Sequence, residues 1–269
     1  MWHTSNAQRD PRKFWGNPAV SGLLLILFGK ARKLSNFLAR FDKTYICEMQ
    51  LHEEVEEEKL RKVINLFVGK IYQKPPLRSA VKKVPRIRKI YSIDILDIVG
   101  RNVLMQVRCE AGTYVRKLCF DIGEVLGSGA HMTELRRIAI GFLDENYEYV
   151  ATMHELFGAY RLWKNKNEDF YLRYYLRPIE ELLFFLPKVF VKDTALFSIT
   201  HGSFVASPAV VAVTSDLKKN QNVGIYNLNN ELIAIGKSEM DAKETIEKEK
   251  GIVVKIDKVL KVYEKEELE

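Results

Sequence analysis

Alternating hydrophobic and polar positions predict several β-strands in the first half of the chain. Residues 45–51, 90–98 and 103–109 alternate in this way, and residues 130–140 are consistent with a further strand. Gly100-Arg101-Asn102 separates the second and third segments, which favours an antiparallel hairpin. Residues 19–28 form an apolar run instead, which is typical of a strand buried on both faces.

Helical spacing of apolar residues predicts helices between these strands. Residues 31–41 have one apolar face, and an acidic run at 53–58 begins a second helix that ends near Phe67. Residues 152–185 read as helical and rich in aromatic side chains, which we interpret as packing rather than as a stacking platform for bases.

The chain changes character at Leu186-Pro187. Short apolar segments separated by Gly, Pro and Asn follow, and they predict a small all-β module of roughly 75 residues, for which a compact barrel is the usual architecture. The predicted strands are 189–191, 204–205, 210–213, 223–227, 232–235 and 252–254.

A glycine turn at residues 110–118 is the candidate site of chemistry. Gly112 permits a sharp turn, and Thr113 is the expected N-cap of a helix that continues through Leu118. The turn presents Tyr114 and Arg116, which together suit a flat, negatively charged, hydrogen-bonding ligand such as a nucleotide. The local sequence alone favours the alternative, in which Tyr114 packs in the core and Arg116 forms a surface ion pair.

Residues 69–89 contain many cations and no acidic residue. The cations are Lys70, Lys74, Arg78, Lys82, Lys83, Arg86, Arg88 and Lys89. Pro75-Pro76 and Pro85 keep much of the segment out of a helix, so we expect a basic loop. Two interpretations remain open: a surface that binds a phosphate backbone, and a basic loop that is simply solvated.

Composition adds a basic charge balance and a reducing environment. The 269 residues are 47% hydrophobic, and the net charge is +7. Such a charge favours a polyanionic partner, although an anionic membrane would satisfy it equally. Three cysteines without a C-x-x-C pair indicate a reducing compartment, and five scattered histidines predict no metal site. The apolar run 23–28 is too short to span a bilayer, so we expect a soluble, cytoplasmic protein.

Several distinctive motifs follow one another along the chain. They are Asn17-Pro18-Ala19-Val20-Ser21-Gly22-Leu23-Leu24, Gly29-Lys30-Ala31, Lys43-Thr44-Tyr45, Gln73-Lys74-Pro75-Pro76 with Ser79-Ala80-Val81-Lys82, Ala111-Gly112-Thr113-Tyr114-Val115-Arg116, and Gly129-Ala130-His131-Met132 with Glu134-Leu135-Arg136-Arg137. Together and in this order they resemble the TruB/dyskerin family of RNA pseudouridine synthases, archaeal branch. Residues 187–262, with Thr200-His201-Gly202, resemble the PUA RNA-binding module.

The resemblance implies a fold and an activity. The fold would be α+β, with a mixed, mainly antiparallel curved sheet, flanking helices and a small C-terminal β-barrel. The implied domains are a non-matching tail (1–16), a catalytic domain (17–186) and a PUA-like domain (187–263). The implied reaction converts a specific uridine to pseudouridine without cofactor or metal. Its substrates would be tRNA (uridine 55 of the TΨC loop) or rRNA sites chosen by H/ACA guide RNA, with other H/ACA ribonucleoprotein proteins as possible partners.

The resemblance also implies residue roles. Tyr45 would stack on the flipped base, Tyr114 would handle a proton on the other side of the ring, and Arg116 would pair with the catalytic carboxylate. The implied RNA-binding residues are Lys43, Lys74, Arg78, Lys82, His201 and Gly202.

The catalytic position departs from the family pattern. The family's aspartate precedes the proline of a Gly-Thr-Leu-Asp-Pro motif, and here Asn17 precedes Pro18. An amide has no charge at neutral pH and cannot act as a carboxylate nucleophile. The family's Lys-Pro-x-Gly motif is also missing upstream. We therefore expect the chain as printed to be inactive, and Asn17→Asp alone need not restore activity.

Two hypotheses explain Asn17. In the one we favour, the chain is N-terminally incomplete and its first 16 residues come from a mis-joined reading frame. In the other, it is a catalytically inactive RNA-binding homologue. A third interpretation, a basic β-rich module that binds protein partners, predicts no RNA affinity at physiological salt.

Overall fold

A computed structural model describes residues 20–74 and 84–264 of the chain, and these fall into two compact units. The first unit contains residues up to 26 and residues 37–150, and the second contains residues 27–36 and residues from 151 onward. Within the described ranges, no helix is both long enough and apolar enough to cross a membrane.

The first unit is built on a seven-stranded sheet with helices on one face. Its strands are β1 (Val20–Gly22), β2 (Lys43–Leu51), β3 (Gly69–Gln73), β4 (Arg86–Val99), β5 (Asn102–Cys109), β6 (Ala130–Ile140) and β7 (Leu143–Asp144), and its two longer helices are α2 (Glu57–Leu66) and α3 (Val115–Leu126). A short helix, α1 (Ser35–Leu38), lies where the chain passes between the units.

The strand order of this sheet is β1-β6-β2-β5-β4-β3, with β7 paired to β6. Only β1 and β6 run parallel, and all other neighbours are antiparallel. The alternating side chains of β2 and β5 point one apolar set toward α2 and α3, which forms the core of the unit. The predicted α+β class with a mixed, mainly antiparallel sheet is therefore confirmed.

Gly123 brings α3 unusually close to β6. A Cβ atom built on Gly123 would lie 2.1 Å from the backbone N of Ala130 and 2.5 Å from the carbonyl carbon of Gly129. The Gly129 N–H also donates a 3.0 Å hydrogen bond to the Gly123 carbonyl. This position of the helix accepts only glycine without movement of the backbone.

The second unit contains a six-stranded sheet, five α-helices and two short 3-10 helices within the described residues. Its elements are α4 (Met153–Lys166), α5 (Phe170–Tyr175), α6 (Ile179–Leu182), β8 (Lys188–Val191), α7 (Asp193–Thr200), β9 (Val205–Ala206), β10 (Val210–Val213), β11 (Asn222–Tyr226), β12 (Leu232–Ser238), α8 (Ala242–Glu247) and β13 (Ile252–Val259). The strand order is β10-β8-β11-β12-β13-β9. The predicted short strands are present, while α7 and α8 were not predicted.

The apolar run 19–28 does not form a long buried strand. Regular strand structure is limited to β1, and Leu24 beyond it is 68% exposed. The reason is that, among the described strands, β1 pairs with β6 alone, and Gly22 at φ +105° ends the extended conformation. Ala19 lies outside the described residues.

The predicted helix over residues 31–41 is shorter and begins differently. A 3-10 helix covers Gly29–Leu34, and α1 ends at Leu38. Lys43 Nζ donates to the carbonyls of Ala39 and Phe41, which takes two acceptors that a continuing helix would use. The second predicted helix, α2, begins at Glu57, within the acidic run 53–58, and ends at Leu66, one residue before the predicted end.

The predicted basic loop is partly a hairpin. β3 pairs antiparallel with the start of β4, from Gly69 opposite Ile90 to Gln73 opposite Arg86. Side chains alternate between the two faces of β3, as strand geometry requires, so that Tyr72 is exposed and Gln73 is buried. The prolines at 75 and 76, with Arg78 and Lys82, lie outside the described residues.

Candidate active site and RNA-binding residues

Tyr45 lies on a central strand, β2, between β5 and β6. Its backbone pairs with Val107 on one side and with Arg137 on the other. Burial raises the pKa of the Tyr45 phenol, the Cys109 thiol adds to this effect, and a hydrogen bond from Arg137 opposes it. The phenol therefore stays neutral at physiological pH and offers both an aromatic face and a polar tip.

Arg137 connects Tyr45 to the strand at the edge of the sheet. Gly22 of β1 pairs with Arg137, whose Nε donates a 2.7 Å hydrogen bond to the carbonyl of Leu23. Gly22, Arg137 and Tyr45 thus form one row across three strands. Asn17 lies outside the described residues, so its position relative to this row stays a prediction.

The glycine turn after β5 is held by backbone and side-chain hydrogen bonds. Glu110 N–H donates to the Lys89 carbonyl, and the Glu110 carboxylate accepts from the Lys89 N–H. Gly112 adopts φ +80°, and a Cβ atom there would meet the Arg88 guanidinium at 3.3 Å. The predicted glycine requirement of the turn therefore has a conformational basis.

The predicted N-cap, Thr113, does not cap α3. Its Oγ1 donates a 2.7 Å hydrogen bond back to the Glu110 carbonyl, and the residue at the N-cap position is Tyr114. The correction follows from the tightness of the turn, which directs the hydroxyl toward the preceding strand. Thr113 also forms a hydrogen bond with Cys109, a thiol whose pKa burial raises to about 11.

Tyr114 is anchored through its backbone, and Arg116 begins α3. The Tyr114 N–H donates to Gln73 Oε1 at 2.9 Å, and the Tyr114 carbonyl accepts from Gln73 Nε2 at 3.2 Å. Arg116 is partly exposed, and within residues 20–74 and 84–264 its side chain has no hydrogen-bond or ion-pair partner. The surface ion pair considered for Arg116 is therefore absent from the described part of the chain.

Two observations relate β2, the strand that carries Tyr45, to the turn and helix that carry Tyr114 and Arg116. Cys109, which acts on the pKa of Tyr45, ends the strand that leads directly into the turn. Cys47 and Cys119 bring their Sγ atoms to 3.5 Å, both fully buried. Cys47 follows Tyr45 by two residues on β2, and Cys119 follows Arg116 by three on α3, so these elements meet beneath the candidate residues.

Models of three known families match consecutive parts of the chain. The model of the TruB family pseudouridylate synthase N-terminal domain matches residues 17–115. The model of the tRNA pseudouridylate synthase B C-terminal domain matches residues 116–184, and a PUA domain model matches residues 187–260.

The relatives extend this match over most of the chain. The chain is 46% identical over 244 residues to the "Probable tRNA pseudouridine synthase B" of Archaeoglobus fulgidus, covering 91% of this chain and 74% of that protein. This chain belongs to the TruB family of pseudouridine synthases. The protein of the same name from Methanopyrus kandleri is 45% identical over 245 residues, covering 91% of this chain and 72% of that protein.

Two solved structures have a fold similar to that of this chain. The chain matches a protein in "Crystal Structure of a Cbf5-Nop10-Gar1 Complex" with a TM-score of 0.80 and 42% identity, over 90% of this chain and 74% of that one. It matches a protein in "Structure of H/ACA RNP bound to a substrate RNA containing 2'-deoxyuridine" with a TM-score of 0.79 and 39% identity, over 90% and 73% of the two chains.

The predicted RNA-binding residues fall in both units of this TruB family chain. In the first unit, the Lys43 ammonium is hydrogen-bonded within the protein, because Nζ donates to the carbonyls of Ala39 and Phe41. Burial and the nearby Arg137 lower the pKa of Lys43. Lys74 is exposed after β3. In the second unit His201 Nδ1 lies 2.8 Å from the Phe197 carbonyl, and Gly202 adopts φ +101°. Their RNA contacts stay predictions.

Sequence reasoning missed two residues that organise the site. Gln73 was noted only as part of a motif, and Arg137 only as part of another. A period-2 reading of residues 69–73 would have placed the polar Gln73 on the buried side of β3, which signals a specific hydrogen-bond partner. No local pattern reveals Arg137, because its partners Tyr45 and Leu23 lie about a hundred residues away in sequence.

Proposed function

We propose that this chain binds RNA in the manner of a pseudouridine synthase and that its site is built to isomerise one specific uridine. The observation that carries the proposal is the turn at Tyr114, which is held by hydrogen bonds from Gln73 and lies directly after the strand that pairs with Tyr45. Beside it lies Arg116, whose side chain has no partner among the residues that the structure describes. In the reaction the C1′–N1 glycosidic bond breaks and a C1′–C5 bond forms. The C5 proton leaves, and N1 gains a proton.

The proposed roles follow from the chemistry of each side chain. Tyr45 offers a neutral ring for stacking on a uracil that has left its helix. Tyr114 receives the proton-handling role, since its backbone is fixed. Arg116 would hold a carboxylate at position 17 ionised and oriented through its planar fork of donors. No described side chain occupies that fork, which supports this assignment.

Asn17 supports a second function, a catalytically inactive RNA-binding homologue. Loss of an enzyme nucleophile removes about 10⁶-fold of the rate in a well-measured hydrolase. We therefore propose that the chain with Asn17 binds RNA but isomerises it at a negligible rate. Its basic surface and PUA-type segment support RNA binding independently of catalysis.

The proposed substrates are the TΨC-loop uridine 55 of tRNA and guide-directed rRNA sites. The names of the relatives support tRNA, and the two solved complexes support an H/ACA ribonucleoprotein with Nop10-type and Gar1-type partners. We propose residues 17–186 as the catalytic domain and 187–263 as the RNA-binding domain. We also propose a cytoplasmic location, on the basis of three free, buried cysteines.

The test measures pseudouridine by mass labelling of RNA treated with the protein. Three proteins are compared: the chain as printed, Asn17→Asp, and Asn17→Asp combined with Arg116→Ala. We expect no pseudouridine from the first, and formation by the second but not the third would support the enzyme assignment. Robust formation by the chain as printed would contradict its inactivity.

RNA binding is measured on the same three proteins over a range of salt concentrations. Salt-sensitive binding without isomerisation, even by an Asn17→Asp chain that also carries the family's Lys-Pro-x-Gly segment upstream, would favour the inactive homologue. Absence of RNA binding at physiological salt by all three proteins would contradict both functions.

A further inference from the structure

Gln73 is a polar side chain buried at the end of β3. Its side chain is only 2% exposed, and its backbone pairs with Arg86 of β4. Buried amide groups are normally hydrogen-bonded, because an unpaired donor or acceptor has lost its water without compensation. The partner of a buried glutamine is therefore part of the reason for its presence.

Both ends of the Gln73 amide bond to the same residue, Tyr114. Oε1 accepts from the Tyr114 N–H at 2.9 Å, and Nε2 donates to the Tyr114 carbonyl at 3.2 Å. The reciprocal pair has the pattern of a β-bridge, with a side chain in place of a second backbone. Only one orientation of the amide gives this pattern. In the flipped orientation the Nε2 donor would face the Tyr114 N–H, and the Oε1 acceptor would face the Tyr114 carbonyl.

These two bonds fix the peptide planes on both sides of Tyr114. Tyr114 is extended at φ −98° and ψ 98°, between the left-handed Gly112 turn and the first residue of α3. Its carbonyl also accepts from the Leu118 N–H at 3.0 Å, so it joins the first turn of the helix to β3. A side chain's direction depends on the backbone that carries it, so fixing both planes restricts where the Tyr114 phenol can point.

We propose that Gln73 is a positioning residue, whose amide sets the backbone of Tyr114 and so aims its phenol at the substrate base. The proposal rests on the function proposed above for Tyr114. The alternative is that Gln73 only fills space under the turn. The two differ in what a change of hydrogen bonding does at constant side-chain shape.

The test uses three variants of the full chain. Gln73→Leu removes both bonds with little change of volume. Gln73→Glu keeps an acceptor for the Tyr114 N–H but places a second oxygen against the Tyr114 carbonyl, unless the carboxyl is protonated. Thr113→Val is the matched control, since it removes a hydrogen bond from the same turn and leaves the Gln73–Tyr114 pair intact.

The readouts are the hydrogen-exchange protection of the Tyr114 amide and the ¹⁹F spectrum of 3-fluorotyrosine placed at position 114. We expect Gln73→Leu to lose about 10-fold to 100-fold of the amide protection, which is the effect of one or two hydrogen bonds. We expect its fluorine line to broaden or split, while Thr113→Val keeps a single line and near-native protection.

Gln73→Glu gives a pH-dependent rescue that space filling does not predict. A protonated carboxyl can donate to the Tyr114 carbonyl, so we expect native protection and a single line at about pH 4–5 and loss of both near pH 8. Unchanged signals in Gln73→Leu, or equal changes in Thr113→Val, would overturn the proposal. Neither readout depends on catalysis. If the proposed function is wrong, no pseudouridine forms, while the amide protection and the fluorine line at position 114 still respond to the Gln73 variants as expected.

Discussion

The close approach of α3 to β6 at Gly123 gives the sharpest stability prediction. In Gly123→Ala the new Cβ would lie 2.1 Å from the Ala130 backbone N and 2.6 Å from the Ala130 Cβ. Ordinary contacts between such atoms are about 3.5–4 Å. The helix must therefore move away from the strand by more than ~1 Å, because backbone atoms cannot rotate aside as a flexible side chain can.

The magnitude follows from two opposing effects. Overpacking of this kind costs about 1–3 kcal/mol, and the rigid neighbour places Gly123→Ala at the upper end of that range. Alanine is favoured over glycine inside a helix by about 1 kcal/mol, which offsets part of the cost. We expect a net loss of about 2 kcal/mol, equivalent to a fall in melting temperature of about 4–8 °C for a unit of this size.

Gly158→Ala is the matched control. Gly158 is also helical, in α4, but a Cβ there meets nothing within 4 Å. Only the helix propensity changes, so α4 should gain about 0.5–1 kcal/mol. Thermal unfolding measures both variants, and hydrogen exchange of the α3 and α4 amides assigns each effect to its own helix.

The reasoning fails if Gly123→Ala is as stable as the parent chain. It also fails if Gly158→Ala loses as much stability as Gly123→Ala, since helix propensity would then not separate from packing. A destabilised Gly123→Ala should in addition expose the α3 amides nearest Gly123 before those of β2, because the helix is what must move.

Three further predictions concern charge and the site. In the Asn17→Asp protein, Arg116→Ala should lower isomerisation by about 10²-fold or more, with Arg116→Lys only partly active, while RNA affinity measured by filter binding changes little. Lys74→Ala should lower the magnitude of the slope of log RNA affinity against log salt concentration by about 0.9. Lys62→Ala is the control, because it breaks only an exposed ion pair with Glu58 and should leave the slope unchanged. Burial raises the Cys109 pKa from 9.0 to about 11, so its contribution to stability is complete below pH 9 and falls by about 2–3 kcal/mol as the pH rises to 11. Other buried groups with a raised pKa, such as Tyr45 and Cys119, also lower stability in this range, so urea unfolding should show an alkaline loss that is smaller by about 2–3 kcal/mol in Cys109→Ala than in the parent chain.

Strands with one buried face could be predicted from the sequence, because alternation is a local signal. β5 and β6 match the predicted segments closely, and the hairpin at Gly100 is where the turn residues place it. The prediction of a long buried strand at 19–28 was wrong because it rested on apolar content and not on alternation. Apolar content alone does not say how many neighbours a strand has, and β1 has one among the strands that the structure describes.

Some residues of the candidate site could be predicted from local sequence, and others depend on distant partners. Tyr114 and Arg116 stand out because a glycine turn before a helix is a local feature. Gln73 holds that turn from 41 residues away, and a partner at that distance cannot be read from a local pattern. Thr113 was assigned to capping on residue type, and the geometry of the turn directed its hydroxyl elsewhere.

The row formed by Gly22, Arg137 and Tyr45 has a consequence for insertions and deletions in the chain. A Cβ at Gly22 would lie 2.1 Å from the Arg137 carbonyl oxygen, so this position opposite Arg137 accepts only glycine. If β1 moved along β6 by one residue, a residue with a Cβ would take this position and collide with the Arg137 carbonyl. The register of β1 is therefore fixed, and an insertion or deletion within Val20–Gly22 would shift part of the strand by about 3.3 Å relative to Arg137 and Tyr45. Length variation among relatives should accordingly avoid β1.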